Sequence, residues 1–176
     1  MQCAQRLHQP DDCEMNTSRK ILGRTELGKK LEEHRMRGER IVLTNGCFDM
    51  LHAGHVRYLK AARAEGEVVV VGVNADSTVG ALKGVGRPIL SEGARAVLVA
   101  GLAAVNYVVI FDEPNVERLL RDLRPDVHAK GTDYTVDTVP ERETAAKLGI
   151  RVAIVGDAKN HSTRDLIARI RERCNA

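Results

Sequence analysis

The chain of 176 residues lacks several features that would assign it to common protein classes. It contains no Trp, and aromatic residues make up only 3% of it, so Ala, Val and Leu carry the apolar content. No apolar run is long enough to cross a membrane, and the first residues lack a signal-peptide core. Acidic and basic residues are interspersed around a net charge of +3, which leaves no basic block for nucleic acid. These absences favour a single α/β domain with neither a membrane nor a nucleic-acid partner.

The cysteines also fit no familiar pattern. There are four, and their spacing matches neither a zinc motif nor a compact disulfide scaffold: Cys3, Cys13, Cys47 and Cys174. Free thiols are typical of a reducing cytoplasm, which is the predicted location. We predict no metal site built from protein side chains.

Two common nucleotide-binding fingerprints are missing. The first predicted strand-to-helix turn has no GxGxxG, and Gly84-Val85-Gly86 is followed by Arg87-Pro88 rather than by a helix. The GxxxxGK[ST] phosphate loop is absent as well. These absences argue against an NAD-type fold and against a P-loop enzyme.

Apolar runs alternate with segments of helical periodicity from residue 41 onward. The predicted strands are 41–43, 67–73, 107–111, 126–130 and 151–155. Helices are expected to begin near Thr25, Ser91, Pro114, Thr138 and Ser162. This alternation predicts a Rossmann-like, doubly wound parallel sheet of about five strands with flanking helices. Residues 1–19 are polar and aperiodic and predict a flexible tail, which leaves residues 20–176 for the domain.

The most informative segment joins the first strand to the helix that follows it. It reads TNGCFDMLHAGH over residues 44–55. A helix N-terminus favours an anion, and the imidazoles of His52 and His55 flank Gly54 there. Two histidines three residues apart could also be half of a metal site. That alternative explains neither the Asn-Gly before them nor the helix after them, so we predict a phosphate-binding corner.

Polar residues follow four of the five predicted strands. Asn45 follows the first strand and Asn74 the second, and residues 130–134 and 161–163 follow the fourth and fifth. Because ligands bind beyond the carboxyl ends of such strands, we expect these side chains to converge on one edge of the sheet.

The run from Asn45 to Asp49, leading into His52-Ala53-Gly54-His55, resembles the signature of the HxGH nucleotidyltransferase superfamily. The whole set of motifs is most similar to the D-glycero-β-D-manno-heptose 1-phosphate adenylyltransferases, or ADP-heptose synthases. Further motifs follow in the family's order: residues 72–76, 82–84, 87–88, 130–134 and 162–163. The resemblance covers residues 20–171 and implies a stand-alone transferase, since no kinase domain is present.

The resemblance implies transfer of the adenylyl group of ATP to a heptose 1-phosphate, with pyrophosphate released, for lipopolysaccharide or surface glycan synthesis. Mg²⁺ is expected to bridge the phosphates with few protein ligands. The implied catalytic residues are His52, His55 and Lys83. The implied nucleotide-binding residues are Asn45, Gly46, Cys47, Phe48, Gly54, His55, Lys130, Gly131, Asp133, Ser162 and Thr163. The implied substrate-binding residues are Asp49, Asn74, Asp76, Lys83 and Arg87.

Several alternatives stay open at this point. Lys83, on a Gly-flanked loop, could be an ordinary solvated lysine. Asp76 and Arg95 are further candidates, and each could instead have a salt-bridged structural role. A cytidylyltransferase acting on glycerol 3-phosphate shares the histidine motif and the Ser-Thr helix start. A non-catalytic nucleotide-binding module is a further alternative. A homodimer is implied by the resemblance only.

Overall fold

The computed structural model describes residues 17–157 and 163–174. The strands are β1 Ile41–Gly46, β2 Val68–Asn74, β3 Tyr107–Phe111, β4 Val127–Gly131 and β5 Arg151–Val155. The helices are α1 Arg24–Met36, α2 Ala53–Arg63, α3 Asp76–Lys83, α4 Glu92–Ala100, α5 Glu117–Leu123, α6 Arg142–Lys147 and α7 Thr163–Cys174, with a 3₁₀ turn at Val136–Thr138.

The five strands form one parallel sheet in the order β3-β2-β1-β4-β5. The chain builds outward from β1 to β3 and then returns to the other side of β1, so the strand order reverses between β1 and β4. Such a reversal opens a crevice at the carboxyl ends of the two strands, where ligands bind in open α/β sheets. The predicted fold class and all five predicted strands are confirmed.

Both faces of the sheet are covered by helices, which explains the continuous apolar strands. Alternate residues of β1 and β2 point to opposite faces: Val42 and Val69 pack with α2 and α4 residues. Ile41 and Val68 pack with the leucines of α1 and α5. The domain is therefore doubly wound, with two aliphatic cores.

Three predicted helix starts are displaced. Helix α1 begins at Arg24, because the Leu27 N–H already bonds to the Gly23 carbonyl, so Thr25 lies inside the helix. The Asn115 side chain accepts a hydrogen bond from Glu117 N at 3.1 Å, and α5 begins there rather than at Pro114.

The capping contact expected at the start of α6 belongs to the preceding 3₁₀ turn. Thr135 and Thr138 bond to each other's backbone in that turn, and Glu141 is the N-cap residue of α6. Ser91 caps α4 as predicted, with its Oγ accepting from Ala94 N. The expected start at Ser162 lies outside the described residues.

Helix α3 is an element that the sequence did not predict. Its residues include Thr78, Val79 and Gly80, all of which have low helix propensity. Burial of Thr78 and Val79 against the fold compensates for that weak propensity.

The first residues of the predicted domain are joined to the sheet. Ile21 forms a parallel bridge to Val108 of β3, and the Lys20 ammonium bonds the carbonyls of Ala100 and Val105. The proposed boundary at residue 19 stays a prediction. No described helix combines the length and the apolar character that a membrane span requires.

Candidate active site

The turn after β1 is tightly bent. Phe48 and Met50 both have positive φ, at 49° and 64°, a backbone region that non-glycine residues rarely adopt. Gly46 leaves room for the Phe48 ring, because a Cβ there would lie 3.1 Å from the ring. The turn connects the end of β1 to His52, the N-cap residue of α2.

The two motif histidines lie against each other at this helix start. Their rings stack with centroids 3.9 Å apart at 25°, and Phe48 packs against His55 at 5.3 Å. The His52 backbone N–H donates to His55 Nδ1 at 3.4 Å. In a neutral His55 the proton therefore sits on Nε2, which makes that nitrogen a donor. Together with the α2 N–H groups, the imidazoles form a site suited to a phosphate.

Helix α2 is held over the strand-order reversal by Tyr58. The Tyr58 hydroxyl bonds the Thr44 hydroxyl of β1 and donates to the Ala129 carbonyl of β4 at 2.9 Å. Burial raises the pKa of this phenol, which stays protonated. The helix that carries both histidines is thereby fixed to the two strands bordering the crevice.

Asp49 ties the turn to the segment before α4. Its buried carboxylate accepts hydrogen bonds from Arg87 Nε at 2.5 Å and from the backbone N–H groups of Ile89 and Leu90. Burial acts to raise the pKa of Asp49, but these hydrogen bonds and the Arg87 charge lower it overall. The Asp49 carbonyl also accepts from the Thr163 hydroxyl at 2.9 Å, which joins the start of α7 to the turn.

Arg95 also holds the turn after β1, from inside the core. Its guanidinium is fully buried and donates to the Cys47 carbonyl at 2.6 Å, the Leu90 carbonyl at 3.0 Å and Asp76 Oδ1 at 2.7 Å. The salt-bridged role left open for Arg95 and Asp76 is therefore present, and the two residues are each other's partners. Substrate binding by Asp49, Asp76 and Arg87 stays a prediction, and their side chains are bonded to protein groups.

Lys130 and Asn45 meet across the crevice between β4 and β1. The Lys130 ammonium donates to Asn45 Oδ1 at 3.2 Å. It also lies 3.2 Å from Glu141 Oε2, which pairs the charges without hydrogen-bond alignment, and 5.3 Å from the Tyr134 ring centroid. Lys130 and Glu141 are both buried.

His128 lies beneath this group and is fully buried. Its Nε2 is 3.5 Å from Asn45 Oδ1. Burial, and then the Lys130 charge, lowers the pKa of His128 to about 3, so the ring is neutral near pH 7.

Lys83 differs from these paired cations. It is the last residue of α3 rather than part of a loop, it is exposed, and Gly84 after it has φ +87°. Lys83 forms no ion pair with a described carboxylate. Burial raises the pKa of the Cys47 thiol, and the Lys83 charge acts in the opposite direction.

The remaining predicted residues lie at the same edge of the sheet. Asn74 ends β2 and is buried, Gly131 ends β4, and Asp133 is exposed in the segment after it. Gly54 lies in the first turn of α2. Ser162 is outside the described residues. The expected convergence on the carboxyl ends of the strands is present among the described residues, and their ligand-binding roles stay predictions.

Sequence reasoning did not single out Glu141 or His128 as site residues. Glu141 belongs to a helix start, and His128 lies inside an apolar strand, where a histidine is usually a core residue. Neither has a local pattern that signals its position, because both reach Asn45 or Lys130 only through folding.

A cleft of about 550 Å³ lies elsewhere on the surface. It borders Tyr107 at the amino end of β3 and is lined further by α1 residues such as Glu26, Lys30 and His34. Because ligands of parallel sheets bind at the carboxyl ends of strands, this cleft is not the candidate site.

A family comparison agrees with the geometry of the site. Residues 43–173 match the cytidylyltransferase-like family. The match covers most of the chain and includes the histidine turn, β4 and α7. The chain belongs to this family, and the membership inferred from the HxGH motif is confirmed.

Two curated relatives of the chain share a name. The chain is 48% identical over 160 residues to the bifunctional protein HldE of Pseudomonas aeruginosa (strain LESB58), covering 91% of this chain and 34% of that protein. It is 45% identical over 158 residues to the bifunctional protein HldE of Azotobacter vinelandii, covering 90% and 33%. The chain thus spans about a third of the length of the curated relatives it matches.

A solved structure shares the fold. The lipopolysaccharide core biosynthesis protein from Thermoplasma volcanium GSS1 superimposes with a TM-score of 0.60 at 27% identity. The superposition covers 69% of this chain and all of that one.

Proposed function

We propose that the protein transfers the adenylyl group of ATP to D-glycero-β-D-manno-heptose 1-phosphate, giving ADP-heptose and pyrophosphate. The observation that carries the proposal is the stacked His52–His55 pair at the α2 N-terminus, at the strand-order reversal of the sheet. Resemblance to the ADP-heptose synthases supports the choice of sugar. The structural neighbour named for lipopolysaccharide core biosynthesis is consistent with it.

The reaction needs no protein nucleophile, because the sugar phosphate is already an anion. One of its oxygens attacks the α-phosphorus of ATP and forms a new P–O bond. The bond from that phosphorus to the oxygen bridging it to the β-phosphate breaks, and pyrophosphate leaves with the electron pair. The protein must align these anions and stabilise negative charge on the α-phosphate.

His52 and His55 are assigned to that charge, with Gly54 allowing close approach to the backbone. Lys83, exposed and without a described carboxylate partner, is assigned to the triphosphate or the acceptor phosphate. Asp133 is assigned to the ribose or base, and Thr163, with Ser162, to the outer phosphates.

Mg²⁺ would neutralise phosphate charge when bound. Within residues 17–157 and 163–174 no group of three or more potential ligands is placed to hold a metal ion, and Asp49 and Asp76 are already ion-paired. The donor set therefore fits an ion carried mainly by the phosphates. The cytoplasmic location and the homodimer belong to the same proposal.

The test is pyrophosphate release with Mg²⁺, using ATP or CTP, each with the heptose 1-phosphate or with glycerol 3-phosphate. We expect release only with ATP and the heptose phosphate, and its loss in His55→Ala. Release only with CTP and glycerol 3-phosphate would instead assign a cytidylyltransferase. Nucleotide binding without release in any pairing would indicate a non-catalytic module.

A further inference from the structure

The orientation of the Asn45 amide is determined by its neighbours on β4. A lysine ammonium is only a donor, so the Asn45 atom 3.2 Å from Lys130 must be the amide oxygen. His128 Nε2 approaches the same oxygen at 3.5 Å. The amide nitrogen consequently points away from β4. No group in the described part of the chain accepts a hydrogen bond from it.

Lys130 is poorly placed to bind a phosphate itself. Its relative exposure is 6%, and that of Glu141, whose carboxylate pairs with it, is 5%. The pair is close to neutral as a unit, and the Tyr134 ring covers the ammonium further. Lys83, at the same edge, has none of these partners.

Buried ion pairs contribute little net stability, since desolvation offsets their attraction. Their better-attested use is to hold a specific arrangement. Here the arrangement held is that of an amide at the crevice between β1 and β4, where the proposed function places the nucleotide.

We infer that the Lys130–Glu141 ion pair is a positioning device: it holds the Asn45 amide so that its N–H donors face the nucleotide phosphates. Lys130 then acts through Asn45 and is not itself the nucleotide-binding residue that the resemblance implies. This inference rests on the proposed function. It adds Glu141, 96 residues from Asn45 in the sequence, as a residue on which nucleotide positioning depends.

A double-mutant cycle tests the inference. Lys130→Met alone would leave Glu141 buried and unpaired, so the pair is removed as Lys130→Met/Glu141→Gln and combined with Asn45→Ala. We expect the pair variant and Asn45→Ala each to lower kcat by about 10-fold or more with the substrates that the parent uses, as for loss of an oriented donor. If the pair acts through Asn45, the triple variant will be no slower than Asn45→Ala.

The matched control is Lys83→Met, whose effect should multiply with that of Asn45→Ala, because Lys83 contacts phosphate independently. Lys29→Met, an exposed change on α1, should leave kcat unaltered. Urea unfolding confirms that each variant folds. If the pair variant does not fold, Glu141→Gln alone, the mildest change, takes its place. Its effect on kcat should also be non-additive with that of Asn45→Ala.

The inference is overturned if the loss in kcat from the pair variant Lys130→Met/Glu141→Gln multiplies with the loss from Asn45→Ala. It is also overturned if the pair variant raises the KM for the nucleotide in the Asn45→Ala background. Either result would restore Lys130 as a nucleotide ligand. The proposed function is judged separately, by the parent. A parent that binds neither ATP nor CTP contradicts both, whereas an active parent with a multiplicative cycle contradicts only the inference.

Discussion

Lys130 and Lys83 lie at the same edge of the same sheet, yet their surroundings differ completely. Lys130 is buried, ion-paired with Glu141 and bonded to Asn45. Lys83 is exposed at the end of α3 without a described carboxylate partner. The difference divides the edge into two sets of residues.

The paired set contains residues whose polar groups are bonded to protein: Asp49, Arg87, Arg95, Asp76, Lys130 and Glu141. The phosphate set, His52, His55 and Lys83, is defined by its assignment to ligand phosphates. Polar groups already bonded inside a fold hold its geometry. Changes in the first set should therefore lower stability first, and changes in the second set should lower activity first.

The largest effect is expected at Arg95. Arg95→Met removes three hydrogen bonds and leaves the Cys47 and Leu90 carbonyls without their partner, which should cost about 2–5 kcal/mol of unfolding free energy, at about 1–3 kcal/mol for each unsatisfied group. Urea unfolding measures it. Arg118→Met is the control, because that exposed arginine lies 3.6 Å or more from its carboxylates and should change stability by less than about 1 kcal/mol. Equal effects of the two changes would erase the distinction between the sets.

His55→Ala should show the opposite profile. Loss of a donor to transition-state charge should lower kcat by about 10²–10³-fold, while the unfolding free energy changes by less than about 1–2 kcal/mol. Steady-state pyrophosphate release and urea unfolding are measured on the same preparations. Lys60→Ala, an exposed change on the same helix, is the control. Near-parental turnover in both His52→Ala and His55→Ala would remove the imidazoles from the phosphate set.

Lys83→Met should have a smaller effect. An exposed lysine that contacts phosphate should contribute about 10-fold in kcat/KM, with no loss of stability. Its contribution should also shrink at high salt, because screening weakens exposed charge interactions. Assays at two ionic strengths with Lys83→Met and Lys60→Met distinguish this role. An unchanged kcat/KM would return Lys83 to an ordinary surface residue.

The smallest effect concerns pH. The pKa of His128 is about 3 in the folded chain against an ordinary value of 6.5, so only the unfolded chain binds this proton between those values. Stability should therefore fall as the pH falls below 6.5, by about 1.4 kcal/mol for each unit. His128→Gln should lose this part of the dependence. Urea unfolding near neutrality and in mild acid gives the comparison, and identical slopes would mean that His128 is protonated in the fold.

Much of the fold was predictable because its signals are local. Each strand is a short apolar run, and the turn at residues 44–55 carries its own Asn-Gly, histidines and helix start. Helix α3 was not predictable, since Thr78, Val79 and Gly80 favour no helix and only burial stabilises one there. The start of α5 was misplaced because the Asn115 side chain bonds Glu117 N, so the helix begins three residues after Pro114.

The candidate site divides in the same way. By itself, the sequence determined the parallel sheet, the histidine turn before α2 and the edge at which polar residues gather, since periodicity and strand ends are local properties. Only the tertiary structure decided which of those polar residues are engaged by protein. Asp49 meets Arg87 across 38 residues, Arg95 meets Cys47 across 48 and Lys130 meets Asn45 across 85. Packing of the tertiary structure brings together partners so distant in sequence. Once a charge is buried, leaving it unpaired would strongly destabilise the fold.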